Sequence, residues 1–195
     1  MRAPPVAVVD FETKPIGPRP AYPPVPVGVA IRLPSDKKSM YLRWGHPEGN
    51  NCSKAEATKR LKSVYRDFTP LYHNAGFDLD VQETHLGIPW PAQWHDTLLM
   101  GFLVDPDSDS LSLKPQAQRY LNEPPTEQDA VRDFILENFK DDPSEIDGKC
   151  PNKKTFGGWI SKCPGGLIDP YARGDVDRTK GLFEHFWTDV QGSRL

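Results

Sequence analysis

The residues with the most evident chemistry stand near the start of the chain, in Val8-Val9-Asp10-Phe11-Glu12. An apolar run leads into two carboxylates separated by one phenylalanine. Alternation along a strand puts Asp10 and Glu12 on one face and Phe11 on the other. Two acids on one face at the end of a buried strand either hold a cation or repel each other. Alone, the triplet is also what a strand end meeting solvent looks like. Two later stretches supply further acids. In His73-Asn74-Ala75-Gly76-Phe77-Asp78, a strand end, a small-residue turn and a helix start put Asp78 in the first helical turn. An acid there also suits the helix dipole without any other role. In Tyr171-Ala172-Arg173-Gly174-Asp175, the tyrosine and the last acid are four apart and share one face of a helix, as residues of a mixed polar surface also do. Should Asp10, Glu12, Asp78 and Asp175 meet at the carboxyl end of a central strand, each bare pair at ~4 Å would repel by about 1–4 kcal/mol. Divalent cations remove that cost. Hard oxygen donors without paired Cys or His point to Mg2+ or Mn2+. Two such ions, about 3.5–4 Å apart, are the usual clamp for displacement at a phosphodiester.

The elements that must position these groups can be read from periodicity. Strands are expected over 6–12, 27–31 and 39–44, the first followed by a proline-rich loop over 14–26. Ser53 with Glu56 three residues on predicts a capped helix start. Leu61, Val64, Tyr65 and Phe68 continue that helix until Pro70 ends it. A short strand over 71–74 leads to a helix over 76–86. Asp96 is read as the N-cap of a buried helix over 97–104 and is given no metal. Helical spacing returns over 111–121 and 126–139. Residues 141–168 show no period and read as an irregular excursion with one short helix. Pro170 fits the first position of a last helix over 171–190. Three strands followed by alternating helices and short strands make an α/β domain.

Taken together, Asp10-Phe11-Glu12, His73 to Asp78 and Tyr171 to Asp175 resemble the three exonuclease motifs of the DEDD superfamily, in the same order and spread over nearly the whole chain. With Tyr171 four residues before Asp175, and Pro170 where the other branch has histidine, the third motif is similar to that of the tyrosine branch. That branch includes the proofreading domains of family-A DNA polymerases, stand-alone bacteriophage relatives and RNase D. The text around His95-Asp96-Thr97, Leu103-Val104-Asp105-Pro106, Leu111-Ser112-Leu113 and Tyr120-Leu121 is also similar to the polymerase-type domains. The resemblance implies a ribonuclease H-like fold, a mixed central sheet whose first three strands are antiparallel, flanked by helices. It implies hydrolysis of single-stranded DNA from the 3′ end with release of nucleoside 5′-monophosphates, in proofreading or DNA processing. It assigns two divalent ions, Mg2+ or Mn2+, to Asp10, Glu12, Asp78 and Asp175. Asp10 would bridge both ions, while Glu12 and Tyr171 would orient the attacking water. A phenol with a pKa near 10 positions better than it abstracts protons at neutral pH. Asn74 matches a substrate-contacting asparagine, and Thr13 and Phe77 flank the site. An RNase D-like exoribonuclease, or a non-catalytic nucleic-acid-binding module on the same fold, are the alternatives.

Composition bounds the rest. The 195 residues suffice for one exonuclease domain, expected over 1–195. Because only a short tail follows Asp175, the expectation is a free-standing nuclease or one whose polymerase is a separate chain. Stand-alone forms of this branch suggest a phage source and the host cytoplasm. A net charge of -3 argues against a strongly basic nucleic-acid coat. No apolar run reaches the length of about 18 residues that a membrane helix needs, and no signal-peptide layout opens the chain. Three cysteines, an odd number, suit a reducing cytoplasm. Cys150 and Cys163 lack the companions a zinc site needs. Between them, Lys153, Lys154 and Lys162 are read either as tracking a nucleic-acid backbone or as a solvated loop. The five tryptophans are read as packing residues, with Trp159 the best candidate for an exception that stacks on a base. His73 and His95 are read as core or supporting residues.

Overall fold

The computed structural model describes residues 3–144 and 146–192. Its centre is a five-stranded mixed sheet in the order β3-β2-β1-β4-β5. β1 (Val6–Thr13), β2 (Pro26–Arg32) and β3 (Met40–Arg43) are successive antiparallel strands. β4 (Thr69–Tyr72) and β5 (His95–Asp96) add in parallel on the other side of β1. The expected fold class, a ribonuclease H-like mixed sheet with three antiparallel strands first, is therefore the observed one.

β1 is buried on both faces because its apolar residues alternate between two cores. Ala7, Val9 and Phe11 pack with Val29, Ile31, Leu61, Leu79 and Val81. Val6 and Val8 pack on the opposite side with Ile168, Ala172, Val176 and Phe183. Period-two alternation then sends Asp10 and Glu12 to the second face. The first face is covered by α1 (Lys54–Asp67) and α2 (Ala75–Leu86). α1 begins with the expected capping box, in which Ser53 accepts the Glu56 N–H and Glu56 reaches back to Ser53.

The second face is covered by α6 (Gly165–Gly192), backed by α3 (Thr97–Val104), α4 (Leu113–Leu121) and α5 (Glu127–Asn138). The buried residues of α6, Ile168, Ala172, Asp175, Val176, Thr179, Leu182, Phe183 and Phe186, follow the spacing of one helical face. Asp175 therefore sits inside the stripe that faces the sheet. α6 starts a turn earlier than expected, because the Pro164 carbonyl accepts the N–H groups of Leu167 and Ile168. Pro170 lies inside the helix rather than at its first position.

α3 also differs from expectation. It is a helix, but Leu99, Phe102 and Leu103 are exposed, and Thr97, Met100 and Gly101 face inward. Its sequence is apolar on every side, so composition alone could not choose the buried face. The excursion after α5 contains a 3₁₀ helix, Phe156–Lys162, anchored by buried Trp159, Ile160 and Cys163. No helix among the described residues is long and apolar enough to cross a membrane.

Candidate active site

β1 pairs with β4 only as far as Val8↔Leu71, while its pairing with β2 continues to the end of the strand. Beyond Val8 the β4 side of β1 is open, and β4 gives way to the turn that begins α2. The Phe11 N–H on this stretch is accepted by the Asp78 carboxylate at 3.0 Å. Asp78 thus comes to the strand end from the α1/α2 layer. Asp175 comes from α6, on the other face, where Asp10 and Glu12 already point. Ligand oxygens of Asp10, Glu12 and Asp175 lie within 4.8 Å of one another. Asp78 stands outside this group of three, because its carboxylate is turned to the backbone of β1.

Burial and mutual repulsion shape the acidity of the set. Burial, then Asp175, pushes Asp10 up to about 8, with Lys114 pulling the other way. Glu12 is held well above the usual carboxylate range by burial and by Asp10 and Asp175. Asp78 is raised by burial and Asp10, and the Phe11 N–H opposes the shift. Asp175 is raised by burial against the pull of Lys114 and Arg178. Asp10, Glu12 and Asp175, which resist ionisation and offer hard oxygen donors close together, could hold a divalent cation.

Tyr171 lies one turn before Asp175 on α6, and its phenol is held well above its ordinary range by burial and by the acids. Thr13 is half-buried, with its hydroxyl donated to the Lys14 carbonyl at 2.9 Å. Phe77 is also half-buried. Both line a cavity of about 310 Å3 beside Glu12, whose far wall is Gly157, Gly158 and Ile160 of the excursion. Asn74 is exposed at the head of α2 in a left-handed conformation, φ 69°, which asparagine tolerates better than most residues. Its side chain makes no cap hydrogen bond and does not line the cavity. A wider cavity of about 840 Å3 lies near Val6, at the other end of β1, with Lys180 and Glu184 among its walls. It contains no acid cluster, so volume alone does not locate the chemistry.

Three charged residues around the acids were not legible as part of the site. Lys114 of α4 places Nζ 3.2 Å from Asp175 Oδ2 and 3.9 Å from the centre of the Tyr171 ring. It is the basic group that offsets Asp10, Glu12 and Asp175 together. Arg178 donates to Asp175 Oδ1 at 3.4 Å and forms a two-pronged pair with Glu127 of α5. Gly174 makes room for that pair: a methyl group there would meet Arg178 Nη1 and Glu127 Oε1, each at 2.9 Å. The sequence signal for Lys114 is faint, a lysine bordering the buried pair Gln116 and Ala117.

Supporting residues fall as expected. Asp96 caps α3 through Leu98 N–H, and the same carboxylate accepts the N–H groups of Asn74 and Ala75 at the start of α2. One side chain thereby ties both helix starts to the sheet. His73 hydrogen-bonds Thr97 at 2.9 Å, and burial lowers its pKa to about 4, so it is neutral. His95 packs on Phe183 and Trp187. Trp159 follows the packing reading rather than the stacking exception: it is buried, and its indole N–H is donated to the Asp142 carbonyl at 3.2 Å. Lys162 is paired with Asp142 at 2.6 Å, whereas Lys153 and Lys154 are exposed.

No protein-family model matches the chain, and no curated protein sequence matches it. A solved structure shares its fold. RNase D of Trypanosoma brucei in its GMP complex superposes with a TM-score of 0.65 at 13% identity, over 97% of this chain and 51% of that one. The chain thus spans about half the length of that RNase D. NrnC of Brucella melitensis with bound Mg2+ aligns at 15% identity over 96% of this chain and 86% of that one, with a TM-score of 0.47. The POL domain of Pol1 from M. smegmatis, in complex with DNA primer-template and dNTP, aligns at 15% identity over 96% and 26%, with a TM-score of 0.46. At 13% identity the likeness to that RNase D is one of fold.

Proposed function

We propose that this protein is a metal-dependent 3′–5′ exonuclease that shortens single-stranded DNA and releases nucleoside 5′-monophosphates. The observation that carries the proposal is the meeting of Asp10, Glu12 and Asp175, from opposite ends of the chain, with ligand oxygens within 4.8 Å. Acids so placed weaken the fold unless a cation joins them. With Asp78 they would hold one or two ions, Mg2+ or Mn2+, which when bound make a water acidic and stabilise the leaving oxygen of a phosphodiester.

The chain's own residues supply the rest. Glu12 accepts a hydrogen bond from the attacking water. Tyr171, kept protonated by burial and by the neighbouring acids, orients that water by hydrogen bonding rather than by taking its proton. Lys114 offsets the negative charge at Asp175, and the Arg178–Glu127 pair fixes the turn of α6 that bears it. Thr13 and Phe77 border the cavity beside Glu12, where a splayed terminal nucleotide would lie against the Phe77 ring. Asn74, exposed at the head of α2 and outside that cavity, would contact the substrate further along the strand. Proofreading for a polymerase, or trimming of free DNA ends, both use this chemistry.

RNA is the second substrate to test, since the fold is shared with an RNase D. The test is a side-by-side digestion of 3′-labelled single-stranded DNA and RNA of equal sequence in Mg2+. Faster release from DNA is expected. Faster release from RNA would make the protein an exoribonuclease, and release from neither would reject nuclease activity.

A further inference from the structure

α1 covers the face of the sheet away from the acid cluster, and its own outer side is basic. It carries five cations and two acids, in a chain whose net charge is -3. Its buried residues are Ala57, Leu61 and Val64. Helical spacing puts Lys59, Lys62 and Arg66 on the opposite side, facing outward. Neither acid of α1 offsets the lysines. Glu56 is committed to the capping box with Ser53, and Asp67 pairs with Arg66 at 3.2 Å.

Lys54, Lys59 and Lys62 are exposed and make no ion pair among the described residues. Elsewhere cations are paired along their own helix, Arg132 with Asp129, Arg173 with Asp169 and Lys180 with Glu184. Like charges three or four residues apart, as Lys59, Lys62 and Arg66 are, lower the stability of a helix. Folding therefore does not explain the basic stripe.

The three lysines border an open groove of about 580 Å3 between α1 and the end of α2, with Thr58, His85 and Leu86 completing its walls. No acid lines it. His85 is fixed there by donating its Nε2–H to the Pro23 carbonyl at 2.9 Å. α2 joins this groove to the active site, since Asp78 stands in its first turn and His85 in its last. The seven residues between them span about 10 Å along the helix axis. That is about three nucleotide steps of a stacked strand.

We propose that the groove between α1 and α2 is a second contact for a nucleic-acid strand, where Lys54, Lys59 and Lys62 hold phosphates well upstream, on the 5′ side, of the nucleotide being removed. Lysine is a compact point charge with freely turning donors. Such contacts hold a backbone in place without reading its bases. The strand brings the unbroken negative charge that the unpaired lysines lack.

The inference rests on the proposed action on a single strand, and its test separates the two. Cleavage of a thymidylate dinucleotide, too short to reach the groove, is compared with cleavage of a 12-mer in 50 mM salt. The double variant Lys59→Gln, Lys62→Gln should lower kcat/KM for the 12-mer by about tenfold and leave the dinucleotide within about twofold. A second readout needs no catalysis: binding of the fluorescent 12-mer in EDTA across a series of salt concentrations. Losing two phosphate contacts should weaken binding by about tenfold and reduce the slope of log Kd against log salt by about 1.4. Polyglutamate of matching length is titrated in parallel, and unfolding curves of the two proteins should coincide. If the wild-type protein cleaves neither substrate, nuclease activity is wrong, and the binding series alone decides the groove. An equal fall in cleavage on both lengths, or a change below about threefold in 12-mer binding with an unchanged salt slope, overturns the proposal. So does loss of polyglutamate binding with DNA binding retained, which would make the groove a site for an acidic polypeptide.

Discussion

Replacing Asp10 by Asn in the metal-free protein should make it more stable, although it alters one of the three clustered carboxylates. Asp10, Glu12 and Asp175 bring their oxygens within 4.8 Å. At that distance one pair of charges repels by about 0.9 kcal/mol in water and about 3.5 kcal/mol at an effective dielectric of 20. Lys114 returns part of this through its pull on the same acids. The displacement of Asp10 from its ordinary value of 3.8 to about 8 sets a ceiling of about 6 kcal/mol. A gain of about 2–3 kcal/mol lies between these limits, or about 4–12 °C in Tm for a chain of this size.

The pH dependence has a fixed sign. Between the two pKa values the folded protein holds a proton that the unfolded chain has lost, so stability falls as pH rises from about 4 to about 8. The advantage of Asp10→Asn should therefore be small at pH 5 and largest near pH 8. The assay is thermal and urea unfolding of both proteins in EDTA at these two values, repeated with saturating Mg2+. Added Mg2+ should stabilise the wild-type protein more than the variant, in proportion to its tighter binding. If Asp10→Asn is the less stable protein in EDTA at pH 8, or if its advantage does not grow with pH, the electrostatic account of the site is wrong.

Other residues give sharper local tests. Lys114→Met should lower stability in EDTA at pH 8 by about 1–2 kcal/mol, because Asp175 loses its partner at 3.2 Å, and should slow hydrolysis in Mg2+. Both effects are read from unfolding curves and initial rates, and an unaffected rate would remove Lys114 from the machinery. Asp96→Ala should cost about 2–4 kcal/mol, since three backbone N–H groups at two helix starts lose one acceptor. A loss below about 0.5 kcal/mol in urea unfolding would show that water replaces the cap. Arg178→Met should cost about 3 kcal/mol by leaving Glu127 and Asp175 without their cation, and adding Glu127→Gln should recover part of it.

How much of this was visible in the sequence depends on the range over which each signal acts. The alternation in β1 and the Ser53–Glu56 capping box are local patterns, and both are found where expected. Asp96 was legible as a cap for α3, but its second duty at the head of α2 needed β4 and β5 to lie side by side. Asp175 was legible as a helical partner of Tyr171. That it projects from the apolar stripe of α6 became plain only with the sheet in place. Lys114 and the Arg178–Glu127 pair left almost no trace, because charge pairs across 51 or 61 residues carry no periodicity. The start of α6 was misplaced because Pro170 is a familiar first residue, while the Pro164 carbonyl had already begun the helix. The glycine-rich excursion had no period to read. Its shape is set by Trp159 and by contacts to His46 and Glu48 far earlier in the chain.

The proposed activity is hydrolysis of nucleic acid from its 3′ end at the carboxylates brought together at the end of β1. Its most direct test uses one strand of single-stranded DNA carrying either a 3′ or a 5′ label, digested in Mg2+, in EDTA, and by Asp10→Ala in Mg2+. The account predicts immediate release of a labelled mononucleotide from the 3′-labelled strand and a stepwise ladder from the 5′-labelled one. It predicts no cleavage in EDTA and a rate lowered by about a hundredfold or more in Asp10→Ala. Hydrolysis by Asp10→Ala at the wild-type rate, or cleavage that persists in EDTA, would contradict it.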